Sequence, residues 1–297
     1  MGEKPAVRPD LAVGEALKAV ARDILSEART ALDDHTKSDA VAVHDYRKAM
    51  KRWRALLRLL EPFLGEDGRK LRTQARDFAR ELSGARDAQS AIDALDDLTQ
   101  DQTDLSGRTI ASIRARLEGL RQNAEAKSLT QAMRARLIVA LDEAATTTGS
   151  WPLDRLTFAE LAGRLAQTYR RLRGDAPSGD WRLVESEMLH DLRRRVVAHR
   201  YQMELVEPLW PKFGRVWVAE AQRLRERLGA HQDLSMLLGF TAPRQILAPW
   251  RSRLTPLIEA RQAAHAKASA RIAGRLLAEK PRAFRSRIEA LWKAGQR

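Results

Sequence analysis

The chain has no cysteine, which excludes disulfides, a thiolate nucleophile and any metal site built on thiolates. Aromatic residues make up only 5% of it, few for a protein built from sheets. No stretch approaches the ~20 consecutive apolar residues that a membrane helix needs. The N-terminal MGEKPAVRPDLAVGEALKAV has no apolar h-region, so a cytoplasmic protein with no membrane partner is expected. Neither a glycine-rich phosphate loop nor a Ser/His/Asp arrangement is present, and no cofactor is implied. What fills the 297 residues instead is Ala, Leu, Arg and Glu, with 44% apolar residues, a composition of helices. An all-α fold is expected. The 53 basic residues outnumber 39 acidic ones, for a net charge of +14 and a pI near 10.6. Such an excess points to a polyanion or an anionic surface as partner.

An internal repeat organises the chain. A shift of 146 positions lays VHDYRKAMKRWRALLRLLEPF (43–63) over LHDLRRRVVAHRYQMELVEPL (189–209) without a gap. It pairs His44 with His190, Asp45 with Asp191, Arg47 with Arg193, Arg54 with Arg200 and Glu61-Pro62 with Glu207-Pro208. Further along it pairs Gly68-Arg69 with Gly214-Arg215, Leu82 with Leu228 and Asp87 with Asp233. Two homologous helical halves follow, an N-terminal bundle over 11–147 and a C-terminal bundle over 155–297, connected through ATTTGSWPLD at 145–154. Apolar periodicity predicts helices near 11–35, 40–60, 68–83, 87–99, 107–125 and 130–146. In the second half they are predicted near 156–173, 182–206, 214–229, 231–239, 254–278 and 282–294. Pro62 and Pro208 are each expected to end the His-bearing helix, and RGDAPSGD at 173–180 to form a loop.

The cations have a direction. With His44 at 0° and 100° per residue, Arg47, Lys48, Lys51, Arg52, Arg54 and Arg58 fall within an arc of ~160°. Val43, Tyr46, Met50, Trp53, Leu56, Leu57 and Leu60 take the other side, and Leu59 is the one large apolar residue on the basic arc. A solvated face interleaves Glu with Lys to gain i,i+4 pairs. Here like charges stack, at a cost in self-repulsion that a bound anion would remove. The next segment repeats the device with Arg69, Arg72, Arg76 and Arg80. In the second half His190, Arg193, Arg194 and Arg200 keep the pattern, while Val197, Ala198 and Glu204 stand in place of cations. The segment 244–297 carries thirteen Lys or Arg against three Glu, with a stripe of Lys267, Arg271 and Arg275. His35, His199 and His265 are read as structural. His44 and His190 open their basic rows at one register, where a bound phosphate would raise the imidazole pKa.

This doubled set of His44, Arg47, Lys51, Arg52, Arg54 and Arg58 with His190, Arg193, Arg200, Tyr201 and Glu204 resembles the CHAD family, the conserved histidine α-helical domain. The Leu-Ser-Gly-Ala-Arg-Asp run at 82–87 and the Leu-Gly-Ala-His-Gln-Asp run at 228–233 are similar to its paired aspartate turns. The resemblance covers nearly the whole chain. It implies two four-helix bundles related by pseudo-twofold symmetry, a basic central channel that binds inorganic polyphosphate, and recruitment to polyphosphate granules, with polyphosphate-metabolising enzymes as candidate partners. Val197 departs from the lysine or arginine usual at its position.

Two rival classes stand beside a binding module. A metal-dependent phosphohydrolase needs converging His and carboxylates, whereas His44-Asp45 and His190-Asp191 are followed at once by arginines that repel a dication. No metal site and no catalytic residue is expected; Asp87 and Asp233 are read as helix caps or as holders of neighbouring arginines. A single-strand nucleic-acid binder interleaves aromatics with its cations, but Tyr46 and Trp53 face away from the basic arc, so nucleic acid is not the expected ligand. The expected function is polyphosphate binding without catalysis.

Overall fold

The computed structural model describes residues 5–82, 84–100 and 105–296, the side chains of 84, 85 and 126–128 excepted. Ser83, inside the first aspartate run, therefore lies outside the described residues. Among those residues the chain forms ten α-helices and no strand: α1 Val13–Asp33, α2 Asp39–Glu81, α3 Gly84–Thr99, α4 Gly107–Ser128, α5 Gln131–Gly149, α6 Phe158–Asp175, α7 Ser186–Val206, α8 Pro211–Phe240, α9 Arg251–Leu276 and α10 Pro281–Gly295. Short 3-10 turns at Trp181–Leu183, Glu207–Leu209 and Ala248–Trp250 link the later ones. The sequence punctuates these helices with hydroxyl caps. Ser38, Ser106, Thr130 and Thr157 each accept from the backbone N–H three residues on, each cap contributing about 1 kcal/mol. Thr157 and Glu160 complete a capping box.

The expected stop at Pro62 is not there. α2 runs through it and turns at Gly65, whose φ of 59° and ψ of −131° lie in a region open essentially to glycine alone. Beyond that bend the helix folds back on its own first arm, so the segments expected near 40–60 and 68–83 are two arms of one kinked element. Proline does remove a hydrogen bond: without an N–H on residue 62 the Arg58 carbonyl has no i+4 donor. Arg164 of α6 supplies one, its Nη2 donating to the Arg58 carbonyl at 3.4 Å and its Nε to the Leu59 carbonyl at 3.3 Å. At Pro208 the prediction holds, since α7 ends at Val206 and a 3-10 turn follows. Two further boundaries differ. The helices expected at 214–229 and 231–239 are one, α8, and the segments 145–149 and 173–175 are the last turns of α5 and α6, helix having extended into stretches whose composition suggested loop.

Two cores hold the molecule together. The larger draws on α1, α2, α5, α6, α7, α10, the first part of α8 and the later part of α9, and includes Tyr46, Trp53, Leu57 and Leu60 of the predicted apolar face. The smaller joins Ala91, Ile92 and Leu95 of α3 and Ile113 and Leu117 of α4 to Leu234 and Leu237 of α8 and Leu254 and Ile258 of α9. Each core takes helices from both halves, so the boundary near 147–155 separates the repeats along the chain and not the cores. Segments equated by the 146-residue shift meet like against like: α2 packs on α7, and α3 on the later part of α8. The reason is length. At 30 residues, α8 spans ~45 Å, beyond the end of its hairpin partner α7, and the overhang buries Leu234 and Leu237 against α3 and α4.

Candidate functional site

Small residues let α2 and α7 cross closely. Ala55 and Ala198 are buried there with Tyr201, and Val197 packs on them. Gln202, 1% exposed, fixes the crossing from inside. Its amide nitrogen donates to the Ala55 carbonyl at 3.3 Å, and its amide oxygen accepts from the Thr168 hydroxyl of α6 at 2.8 Å.

On one side of this crossing cation faces cation. Lys51 of α2 feels Arg86 of α3, Arg193 of α7 and Arg225 of α8; Arg54 feels Arg194 and Arg86; Arg58 feels Arg72, Arg194 and Arg195. Lys51, Arg54 and Arg58 are partly buried, at a cost to their charged forms. Burial first, and the surrounding guanidiniums second, hold the Lys51 ammonium down to about 7 and pull Arg47 and Arg193 to about 10. Arg54 and Arg58 are lowered from the same causes in the same order. Among the described residues Lys51, Arg54, Arg58 and Arg193 form no ion pair. The Nε atoms of Arg54 and Arg193 are buried with no hydrogen-bond partner among the described residues. Unpaired buried charge is costly, and an anion placed between the rows would relieve both the desolvation and the repulsion.

The groove opens into a cavity of about 480 Å³ whose lining includes Arg58, Arg69, Arg72, Arg164, Arg171 and Arg195. The one carboxylate among its lining residues, Glu61, is taken by Arg72. Around Arg193 the wall of α8 is cut back to glycine: a Cβ on Gly229 would sit 3.3 Å from the Arg193 Nε. Arg47 has a second duty there. Its Nη1 donates to the carbonyls of Ala79 at 2.9 Å and Leu82 at 2.8 Å, closing the last turn of α2 and pinning its second arm to its first.

Not every cation singled out from the sequence reaches this groove. Arg52 turns to α1, where it pairs with Asp23 at 3.3 Å and with Glu27. Together with Lys48 and Arg200 it lines a separate cavity of about 500 Å³ that also holds Glu204. Arg200 pairs with Glu204 at 2.8 Å and stacks over the Tyr201 ring. Arg76 is exposed and paired with Asp77, and Arg80 is exposed near the end of α2, whereas Arg69 and Arg194 border the groove but are exposed and paired, with Glu66 and Asp191, at 3.0 Å each. Lys267, Arg271 and Arg275 are exposed along α9, where Arg275 lies 3.9 Å from Glu220 of α8, and none of them acts on the groove cations.

The histidines separate in the same way. His44 is exposed on the second turn of α2. His190 is half-buried, its pKa lowered by burial and by Arg193 and Arg194 against a hydrogen bond to Gln232, and its Nδ1 has no partner. His199 is a core residue whose Nε2 accepts from the Trp217 indole at 2.9 Å, and burial pushes its pKa to about 3. His265 is 2.7 Å from Asp97. Asp87 stands in the first turn of α3, where a carboxylate suits the helix dipole. Asp233 is no cap, because α8 is continuous through it. It is half-buried within α8 beside Arg193, Arg86 and Ser90, and its pKa is raised by that burial.

Five groove arginines escaped the sequence pattern: Arg86, Arg164, Arg171, Arg195 and Arg225. Under the shift Arg164, Arg171, Arg195 and Arg225 fall on Lys18, Leu25, Ala49 and Ala79, so the repeat held no sign of three of them. Arg86 lies within the first aspartate run and Arg164 falls on a cation, so those two carry a signal in the sequence. Among the described residues no group of three or more His, Asp or Glu side chains is placed to hold a metal ion, and no helix is long and apolar enough to cross a membrane.

The chain is similar to a solved structure, "Crystal structure of the CHAD domain from the plant Ricinus communis", with a TM-score of 0.60 over 98% of this chain and 95% of that one. At 21% identity that likeness establishes the fold. No curated protein matches the chain. The family model for the CHAD domain matches residues 15–242, most of the sequence and both histidine helices, and the chain belongs to the CHAD domain family.

Proposed function

We propose that this protein binds inorganic polyphosphate in the groove where α2 crosses α7 and holds it without cleaving it, as a granule-associated or targeting module. One observation carries the reading: Lys51, Arg54 and Arg58 are half-buried side by side and, among the described residues, form no ion pair, and neither does Arg193 across from them, although Asp233 lies near it. Polyphosphate offers about one negative charge per phosphate and neither bases, sugars nor apolar groups. Guanidinium rows suit it, since Arg binds phosphate oxygens in bidentate fashion and Lys adapts as a compact charge. Among the described residues the cavity beyond Arg58 is lined by no Trp, Tyr or Phe on which a base could stack. Granule localisation and recruitment of polyphosphate-metabolising enzymes belong to the same reading.

The test is a titration with long-chain polyphosphate at low and high salt, with single-stranded DNA as competitor and phosphate release monitored. Tight binding that salt weakens steeply, that DNA does not displace and that releases no phosphate is the expected result. Replacing Arg54 and Arg58 by Ala should weaken binding by about ten- to a hundredfold per guanidinium lost. Arg52→Ala should leave it nearly unchanged, since Arg52 is already engaged by α1. Released phosphate would make the protein an enzyme; equal displacement by DNA would leave a nonspecific basic surface.

A further inference from the structure

A second basic groove, lined by neither histidine helix beyond Phe63 at its edge, lies between α6 and α10. It encloses about 520 Å³ over Gly163 and Ala166, with Arg164, Arg170, Arg282 and Arg285 along it. Its acidic residue, Glu160, is engaged elsewhere: the carboxylate accepts from the Thr157 N–H at 2.9 Å and from the Thr157 hydroxyl at 2.7 Å. Arg285 is held by Glu289 at 2.8 Å. Arg170 and Arg282 are exposed and, among the described residues, form no ion pair.

One side chain separates this groove from the cavity at the crossing. Arg164 lines both cavities, and its guanidinium is anchored on the carbonyls of Arg58 and Leu59. A polyanion held past Arg58 reaches Arg170 and Arg282 only by passing Arg164. The matching positions of the first half offer no free cation among the described residues. There the residues matching Arg164 and Arg282 are Lys18, bound to Asp154 at 2.8 Å, and Arg136, bound to Glu81 at 3.1 Å, and the residue matching Arg170 is Ile24. Cations already neutralised offer little to a polyanion, so the two ends of the crossing are unequal.

We infer that the α6/α10 groove is a one-sided exit track for the polyanion, which binds phosphates beyond those held at the crossing and makes affinity depend on chain length. The inference rests on the reading of the crossing as a polyphosphate site. Its chemistry is the same, charge-assisted contacts to phosphate oxygens, but only a chain longer than the crossing reaches it.

The test compares wild type with the Arg170→Ser/Arg282→Ser double variant on two ligands. One is long-chain polyphosphate. The other is an oligophosphate fraction just long enough to span Arg47 to Arg58, about 16 Å of helix. Both substituted side chains are exposed, and circular dichroism checks the fold. The expected result is unchanged affinity for the short ligand, weaker binding of the long one, and a salt slope for the long ligand shallower by about two. Unchanged long-chain affinity and slope in the variant would overturn the track. Equal loss on both lengths would put the two arginines in the primary site and overturn it as well. If wild type bound neither ligand, the function proposed for the crossing would itself have failed, a result distinct from the other two.

Discussion

Raising the pH from about 7 to about 9 should weaken polyphosphate binding through a single side chain. In the empty protein burial and the charges of Arg86, Arg193, Arg225 and Arg47 hold Lys51 down to about 7, whereas an ordinary lysine titrates near ~10.4. Phosphates in the groove favour the ammonium form and raise that value again. Between the two values the complex holds a proton that the empty protein lacks, so binding takes up to one proton. Affinity then falls by up to about tenfold per pH unit above 7, until the bound-state value is reached. Over two units the loss approaches ~100-fold. Arg47 and Arg193, at about 10, stay charged through this range and do not blur it. Isothermal titration calorimetry at about pH 9 in two buffers of different ionisation enthalpy reads the proton count directly. Uptake near zero would refute the argument, and so would a Lys51→Met variant that keeps the wild-type pH slope. Stability without ligand should move the other way. The unfolded chain binds the Lys51 proton between about 7 and about 10 while the folded one does not, so unfolding free energy rises with pH across that window.

Two further substitutions test how the groove is built. Arg47→Ala leaves the Ala79 and Leu82 carbonyls without their donor and should cost about 1–3 kcal/mol in denaturant unfolding; a change below about 0.5 kcal/mol would show that water replaces the guanidinium at no loss. Gly65→Ala puts a Cβ on a residue at φ 59° and should destabilise by about 1–3 kcal/mol with helix content unchanged. No atom lies within 4 Å of that Cβ, so a loss of that size would come from backbone strain and not from a clash.

Helix by helix, the sequence decided a great deal about this protein. Its composition excludes disulfides and membrane helices and favours helices, its 146-residue shift exposes the repeat, and the 100° period separates Tyr46, Trp53 and Leu57 from Arg47, Lys51, Arg54 and Arg58. The structure buries the first set, turns Lys51, Arg54 and Arg58 toward α7, and folds Arg47 onto the end of α2. Periodicity could do this because a helix's faces are set by residues three and four apart, within the helix itself. It could not say what each polar face meets. Arg52 and Arg54 lie on one arc, yet the first finds Asp23 and Glu27 on α1 while the second finds Arg194 and Arg86. Pro62 reads as a stop until Arg164, more than a hundred residues later, supplies the missing donor. Arg195 and Arg225 carry no repeat signal and enter the site only because α7 and α8 pack as they do. Whether a cation is neutralised or left for a ligand depends on the neighbour across an interface, and only the tertiary packing of α1, α2, α6 and α7 supplies that neighbour.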